Sequence, residues 1–205
     1  MIKSGLLLCA LGLTTSGLAI AQFGPLGIFV GHGDVGEVQQ AGSVHYDPEA
    51  QVYFLEGSGA NVWGRQDAFH FVWRRLQGAF VLHARGQFLG PGVDPHRKMG
   101  WMVRASLEPD APYVDVVVHG DGLAALQFRR VAGGPTEEMR FALSGPDVLQ
   151  LERRGDTYIA AVARFGEPLI SQTLTGLALG DTVYVGLCIC AHNDTVLERA
   201  VFDNV

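Results

Sequence analysis

Lysine is almost missing from this 205-residue sequence, which contains only Lys3 and Lys98. The 15 basic side chains are outnumbered by 21 acidic ones, and the formal charge at pH 7 is −6. No stretch of the chain concentrates its basic residues into a stripe. A nucleic-acid-binding domain typically carries such a stripe or patch, so the composition argues against a nucleic-acid partner.

Long apolar runs are also missing, except near the N-terminus. There an apolar stretch, Leu6 to Leu13, follows Lys3 and precedes the small-residue triplet Ala19-Ile20-Ala21. This arrangement is typical of a secretory signal peptide. We therefore predict a signal peptide over residues 1–21, with cleavage after Ala21, and a single domain over residues 22–205. The alternative is an uncleaved anchor.

The apolar stretch is too short for a stable membrane span, and no second one follows. The sequence therefore predicts a periplasmic or secreted protein with no membrane span in the mature chain. Cleavage removes Lys3 from the 15 basic side chains and none of the 21 acidic ones, which changes the formal charge to −7.

Cysteine is scarce, and Cys9 lies inside the predicted signal peptide. Cys188 and Cys190 remain, two residues apart in an apolar run. On one strand they point to the same face, with Cα atoms about 6.5–7 Å apart, at or beyond the limit for a disulfide. We predict two buried thiols, and the alternative is a strained bridge. A lone Cys-X-Cys pair is a weak zinc signal, because tetrahedral zinc takes four ligands.

Helical periodicity is nearly absent, and apolar and polar residues alternate instead. Glycine-rich turns separate the alternating segments. Many short strands at such spacing favour an all-β, two-sheet antiparallel sandwich or jelly roll. We also predict a short helical turn within residues 60–66 and a hairpin over 147–164. The candidate strands are residues 43–46, 52–56, 68–75, 79–88, 98–106, 112–119, 124–131, 137–143, 147–154, 157–164, 182–191 and 196–203.

The segment from Tyr113 to His119 shows this alternation most clearly. Val114, Val116 and Val118 share one face of the strand, and Asp115 and His119 lie on the other. We predict that the valines are in the core and that the opposite face is open to solvent. Arg104 would stand beside Asp115 or His119 if residues 98–106 pair with this segment.

Neighbouring segments show the same alternation and carry His, Arg and Gln at the positions predicted to face solvent. A face that is merely solvated would use lysine freely at such positions. Such side chains hydrogen-bond sugar hydroxyls, and aromatic faces stack on sugar rings. The alternative is that these residues are only the solvated face of an ordinary sandwich. The predicted ligand-binding residues are His83, Arg85, Arg104, Asp115, His119, Gln127 and Arg129.

Four blocks of the sequence resemble a bacterial family with a concanavalin A-like jelly-roll fold. The blocks are residues 42–84, 98–129, 149–160 and 181–205. The family is described as "regulation of enolase"-like and is sometimes labelled as related to Tol biopolymer transport. The resemblance implies a two-sheet sandwich with a concave face, but no activity, because a fold alone does not give a function.

Catalytic and cofactor motifs are missing. There is no strand of the form ExDxxE, which would supply the carboxylate pair of a jelly-roll glucanase. There is no GxSxG, P-loop or dinucleotide fingerprint. No cofactor is predicted, and five Asn and Asp side chains are interpreted as ordinary turn-forming residues of loops. The alternative is that their oxygens bind a structural Ca²⁺. The loop residues in question are Asn61, Asp67, Asp94, Asn193 and Asp194.

These observations predict a non-catalytic module that binds carbohydrate or a cell-envelope polymer on its concave face. One alternative is a periplasmic glycoside hydrolase or lyase, in which Asp115 and His119 converge in the groove. The other is an envelope domain whose face docks a protein partner.

Overall fold

The computed structural model describes residues 25–205, and the predicted signal peptide lies outside the described residues. Within that range the chain forms strands and no helix. The strands are β1 (Gly31–Val35), β2 (Ser43–Asp47), β3 (Val52–Gly57), β4 (Asn61–Trp63), β5 (Gln66–Gln77), β6 (Phe80–Leu89), β7 (Lys98–Arg104), β8 (Tyr113–His119), β9 (Ala124–Arg129), β10 (Thr136–Arg140), β11 (Val148–Arg154), β12 (Thr157–Ala163), β13 (Ile170–Leu174), β14 (Thr182–Cys190) and β15 (Glu198–Asp203).

Two antiparallel sheets pack face to face. The eight-stranded sheet has the order β1-β5-β14-β7-β8-β9-β10, with β4 paired to β5. The seven-stranded sheet has the order β13-β12-β11-β6-β15-β3-β2. The predicted all-β, two-sheet antiparallel sandwich is confirmed. In the part of the chain that the structure describes, no helix is long and apolar enough to cross a membrane.

The main core lies between the two sheets. Val114, Val116 and Val118 of β8 are buried in it, together with Trp101 of β7. The seven-stranded sheet contributes Leu149 and its neighbours from the β11–β12 hairpin, which forms as predicted. Each fully buried aliphatic side chain stabilises the fold by roughly 1.5–3 kcal/mol. The predicted core face of β8 is therefore confirmed.

Three strands were not predicted, because their sequences lack clear alternation. β1 is glycine-rich, and β13 is a largely exposed edge strand. The predicted helical turn at 60–66 is wrong, because β4 pairs with the start of β5 and Trp63 lies opposite Gln66. Gly64 makes the intervening tight turn possible, since its φ of 64° lies in the region that favours glycine.

A second, smaller core covers the other face of the eight-stranded sheet. We call it the outer core. β4 contributes Val62 to it, and the segment between β7 and β8 adds Leu107. Cys188 and Cys190 are both buried here and both free, which confirms the predicted thiols. The other buried members are Val35, Phe69, Phe71, Met102, Tyr113 and Val117.

Candidate functional site

The face of β8 that carries Asp115 and His119 is not open, and this prediction is wrong. Asp115 is 0% exposed and His119 is 5% exposed. Gln127 and Arg129 on the adjacent strand β9 are buried as well. The reason is the outer core, because β4 and the segment 105–112 fold over this face and exclude water from it.

Arg104 does not stand beside Asp115 or His119. β7 and β8 do pair as a hairpin, but Arg104 lies opposite Tyr113 in the register. Its Nη1 donates to Oδ2 of Asp67 at 3.2 Å. Arg129 donates to the same carboxylate from Nη1 at 2.9 Å and from Nη2 at 2.7 Å. All three side chains are fully buried, and we call them the Asp67 network.

β4 and the segment 105–112 together form what we call the cover of the eight-stranded sheet. The Asp67 network fastens this cover onto the sheet. Arg104 also donates to the carbonyls of Ser106 (2.7 Å) and Glu108 (2.6 Å), and Arg129 donates to that of Ala111 (3.1 Å). These two predicted ligand-binding arginines therefore hold the segment 105–112 in place and do not face a ligand.

Two of the acids named as alternative Ca²⁺ ligands have other partners, and one of them, Asp67, lies on β5 and not in a loop. Both oxygens of Asp67 accept bonds from arginine, and Asp94 lies 3.3 Å from Nδ1 of His192. Across residues 25–205, no three His, Cys, Asp or Glu side chains gather as metal ligands would. The absence of a cofactor stays a prediction, with a structural Ca²⁺ as its alternative.

His83 and Arg85 lie on β6, in the seven-stranded sheet, and do not join the others. His83 is exposed, and Arg85 binds Asp147 at 3.0 Å with its guanidinium over the ring of Phe165. Because the main core separates the two sheets, these side chains lie on the opposite side of the sandwich. The single surface predicted from alternation is therefore split.

Four of the predicted residues reach a cavity, but not the same one, since His83 and Arg85 line a hollow beside Phe165 on the seven-stranded sheet. Where the cover ends, near the start of β7, a pocket of about 280 Å³ opens on the eight-stranded sheet. We call it the Trp63 pocket. His119 and Gln127 line it, although neither was expected to be so deeply buried. The full lining is Asn61, Trp63, His96, Lys98, His119, Leu123, Gln127, Glu138, Arg140 and His192.

Lys98 lies at the floor of the Trp63 pocket and is 3% exposed. Its Nζ donates to the carbonyl of Val62 at 2.8 Å, to Oδ1 of Asn61 at 2.9 Å and to Oε1 of Gln127 at 3.3 Å. Three acceptors match the three N–H groups of an ammonium ion. Burial lowers the pKa of Lys98, and the nearby carboxyl of Asp115 opposes that shift. Nζ also lies 5.5 Å from the ring centroid of Trp63, within cation–π range.

His119 lines the same pocket, and both nitrogens of its ring are buried, so the ring must turn slightly before either nitrogen can reach a ligand. Among residues 25–205, neither of its ring nitrogens has a hydrogen-bond partner. Burial, with a smaller contribution from the charge of Lys98, lowers the pKa of His119 to about 3. The ring is therefore neutral at pH 7 and offers one N–H donor and one acceptor nitrogen.

Two further histidines form the wall beside His119. The ring centroid of His96 lies 6.2 Å from that of His119 and 5.4 Å from that of His192. Nε2 of His192 lies 3.1 Å from Nδ2 of Asn61, which fixes the ring against the floor of the pocket. Neither histidine was among the predicted site residues.

Asp115 lies beneath the Trp63 pocket and does not line it. Its Oδ1 accepts from the backbone N–H of Gln127 at 3.3 Å, while Oδ2 has no partner among the described residues. Burial raises the pKa of Asp115 well above its usual range, and Lys98 opposes the shift. Four residues along a strand separate Asp115 from His119 by roughly 13 Å. Only His119 reaches the pocket, so the prediction that these two side chains converge in one groove is wrong.

The pocket residues that sequence reasoning missed come from separate segments. Trp63 lies in the misassigned turn, and His96 and His192 lie in loops. Glu138 and Arg140 lie on β10, where Nε of Arg140 donates to Oε1 of Glu138 at 2.6 Å. The one available signal was Lys98, because it is the only lysine after residue 21.

Comparisons with known proteins extend the fold assignment. No family model matches the chain, and no curated protein matches its sequence. Many solved structures share its fold, including the following three. A functionally unknown protein from Saccharomyces cerevisiae has a TM-score of 0.61 and 18% identity, over 79% of this chain and 89% of that one.

The other two structures are of a carbohydrate-binding module and of a glucanase. The carbohydrate-binding module CBM66 from Bacillus subtilis has a TM-score of 0.52 and 14% identity, over 87% of this chain and 95% of that one. A prokaryotic beta-1,3-1,4-glucanase (lichenase) from a mouse hindgut metagenome has a TM-score of 0.51 and 6% identity, over 78% and 80% of the two chains. These comparisons give no support to the "regulation of enolase" label. At such identities they establish the fold alone, which is the concanavalin A-like jelly roll.

Proposed function

We propose that the protein is a secreted or periplasmic carbohydrate-binding module that holds a sugar in the Trp63 pocket without catalysis. The observation that carries the proposal is the position of Trp63. Trp63 is 38% exposed at a pocket whose other walls, apart from Leu123, are polar side chains. An apolar platform with a few convergent polar groups is the usual construction of a small-ligand site.

The chemistry of the pocket suits a hydroxylated ring. The C–H face of a sugar packs on an aromatic side chain, while its hydroxyls need both donors and acceptors. Neutral His119 offers one of each, and the amides of Asn61 and Gln127 offer more. At about 280 Å³ the pocket lies just below the roughly 300–1,000 Å³ of drug-sized ligand sites. This volume favours a single sugar unit.

The arrangement of carboxylates supports binding rather than hydrolysis. Retaining glycosidases place two carboxyl groups about 5–5.5 Å apart at the reacting bond. Glu138 is the one acidic side chain among the lining residues, and its carboxylate is bonded to Arg140. The similarity of the fold to the carbohydrate-binding module CBM66 agrees with this proposal.

The proposal is tested with a glycan array, followed by calorimetry on each glycan that binds. Trp63→Ala should weaken binding ~10-fold or more, because a stacked aromatic is worth up to ~1.5 kcal/mol beyond its buried area. Phe54→Ala is the matched control. Phe54 is equally exposed, at 39%, but lies on β3 of the other sheet, so binding should not change.

The remaining outcomes separate the alternatives. Binding to no glycan, or unchanged binding by Trp63→Ala, would refute the proposal. Release of products from an oligosaccharide panel, detected by mass spectrometry, would instead indicate a hydrolase or lyase. Capture of one defined envelope protein, abolished by Trp63→Ala, would indicate a protein-docking domain.

A further inference from the structure

We infer that the sugar unit held in the Trp63 pocket is acidic, with a carboxylate or sulfate group directed at Lys98 and His119. This inference rests on the proposed sugar-binding function and adds the class of sugar. It follows from the charges at the floor of the pocket and from the hydrogen-bonding groups that are left over there.

Among residues 25–205, Lys98 has no carboxylate partner, in contrast to three other buried cations, while Arg153, which is also buried, bonds only to carbonyl oxygens. Arg97 is bonded to Glu198, and Arg104 and Arg129 are bonded to Asp67. The three acceptors of Lys98 are neutral oxygens, from one backbone carbonyl and two amides. Within residues 25–205, no carboxylate oxygen lies within 4 Å of its Nζ.

The acidic groups nearest to the pocket do not neutralise Lys98. Glu138 is held by Arg140. Asp115 lies beneath the floor, where burial favours its protonated form. Among the described residues, Lys98 therefore has no ion-pair partner at the floor of the Trp63 pocket, although the whole chain has a formal charge of −6. Burial lowers the pKa of Lys98, and an anion bound beside it would oppose that shift as the carboxyl of Asp115 does. A buried cation without a counterion favours a ligand that brings one.

The geometry also provides a place for the anion. The bond from Lys98 to Gln127 is the longest of its three, at 3.3 Å, compared with 2.8 and 2.9 Å for the others. An anionic oxygen that enters the pocket can replace Gln127 as the third acceptor of Lys98, because this exchange gives up the weakest of its three hydrogen bonds. Charge-assisted hydrogen bonds of this kind are about twice as strong as neutral ones.

His119 supplies a second donor for the same group. Its ring is nearly buried and unpartnered, and it lines the cavity into which Lys98 faces. One oxygen of a carboxylate or sulfate would accept from Lys98 and another from the N–H of His119. The acceptor nitrogen of His119 remains for a hydroxyl hydrogen. A neutral sugar would satisfy His119 but would leave Lys98 without a counter-charge.

The experiment compares ligands that differ only in charge. Oligogalacturonate and its methyl ester have the same ring, and oligomannuronate with its ester gives a second pair. A carrageenan oligosaccharide and its desulfated form test sulfate in place of carboxylate. We expect at least one acid to bind ~10-fold or more tightly than its neutral partner, the factor of one charge-assisted hydrogen bond. That preference should weaken as salt is raised.

Lys98→Met tests the role of the ammonium group. It should reduce the preference for the acidic form to about onefold, and the measurement is the ratio of the affinities for the acidic and the neutral partner. If Lys98→Met fails to fold, as judged by circular dichroism, the comparison of acid with neutral form on the unaltered protein still decides the question.

The outcomes distinguish this inference from the proposed function. Equal or tighter binding of the neutral forms, lost in Trp63→Ala, would overturn the acidic-sugar inference and leave the sugar-binding proposal standing. Binding of no glycan would overturn both. A carboxylate preference and a sulfate preference each support the inference and identify which anion the site accepts.

Discussion

Replacing Asp67 with asparagine should destabilise the fold strongly, although the two side chains have almost the same shape. The carboxylate of Asp67 accepts three bonds, from Arg104 at 3.2 Å and from Arg129 at 2.9 and 2.7 Å. In Asp67→Asn both guanidinium groups stay buried and charged, and neither has a counter-charge. An amide N–H would also point at one of these donors.

The expected loss follows from the burial of all three groups. Removing one partner from a buried ion pair costs about 3–5 kcal/mol. Here one carboxylate serves two arginines, so we expect a decrease near the upper end, about 4–5 kcal/mol. For a domain of this size each kcal/mol lowers the melting temperature by about 2–4 °C, which predicts a decrease of roughly 8–20 °C.

The change should also loosen the cover before the whole domain unfolds. Arg104 and Arg129 hold the segment 105–112, and the outer core beneath that cover contains the thiols of Cys188 and Cys190. In the native protein both thiols should react slowly with a thiol reagent, since both are buried and burial raises their pKa. Asp67→Asn should make them react faster under native conditions.

Urea denaturation and thermal melting measure the global loss, and thiol labelling measures the opening of the cover. Glu137→Gln is the control, because it removes a 3.4 Å pair with Arg130 in which both side chains are largely exposed. Such a surface pair contributes about 0–1 kcal/mol. If Asp67→Asn loses no more stability than Glu137→Gln and its thiols stay protected, the Asp67 network does not anchor the cover.

Two further predictions concern pH. The pKa of Asp115 is raised in the folded state, so the unfolded chain loses this proton first, and stability falls as the pH rises above about 3.9, the value for a free aspartate. The side chain of Asp115→Asn cannot ionise, so urea titrations should find the variant more stable than the unaltered protein at pH 8. At pH 4 this difference in the free energy of unfolding should be smaller. A variant less stable at pH 8 would mean instead that Asp115 is ionised and pairs with Lys98. The pKa of His119 is lowered to about 3 in the folded state. Between about pH 6.5 and 3 the unfolded chain therefore binds a proton on this side chain that the folded chain does not bind. Stability falls as the pH drops through this range, by up to ~1.4 kcal/mol per pH unit. His119→Gln should flatten that decline in acid unfolding curves, and parallel curves for the two proteins would contradict the assignment.

Much of the fold was predictable because alternation is a property of a single strand. Val114, Val116 and Val118 mark the core side of β8 wherever that strand lies in the sheet. Leu149 and Leu151 do the same for β11, and the intervening Gly155 places the hairpin turn. Short strands without alternation, such as β1 and β4, gave no such signal and were missed.

The other face of the eight-stranded sheet was not predictable in the same way. Alternation shows which residues share a face, but not what packs against that face. Val62 comes from a segment far from β8 in sequence, and Leu107 from the connection that precedes β8, and their packing turns Asp115 and Arg129 into buried groups. Met102, Tyr113 and Val117 on that face are apolar, which is the one local hint that it was covered.

The sequence by itself determined most of the strands, the main core and the free thiols, because each follows from spacing along one segment. Only the tertiary structure decided the site. The register of β7 with β8 sets Lys98 opposite His119, and its register with β14 sets Lys98 opposite Cys190, two residues before His192. The cover then places Trp63 above them. Sheet order and register are set by packing over the whole domain, so no spacing along the chain reveals that these side chains meet.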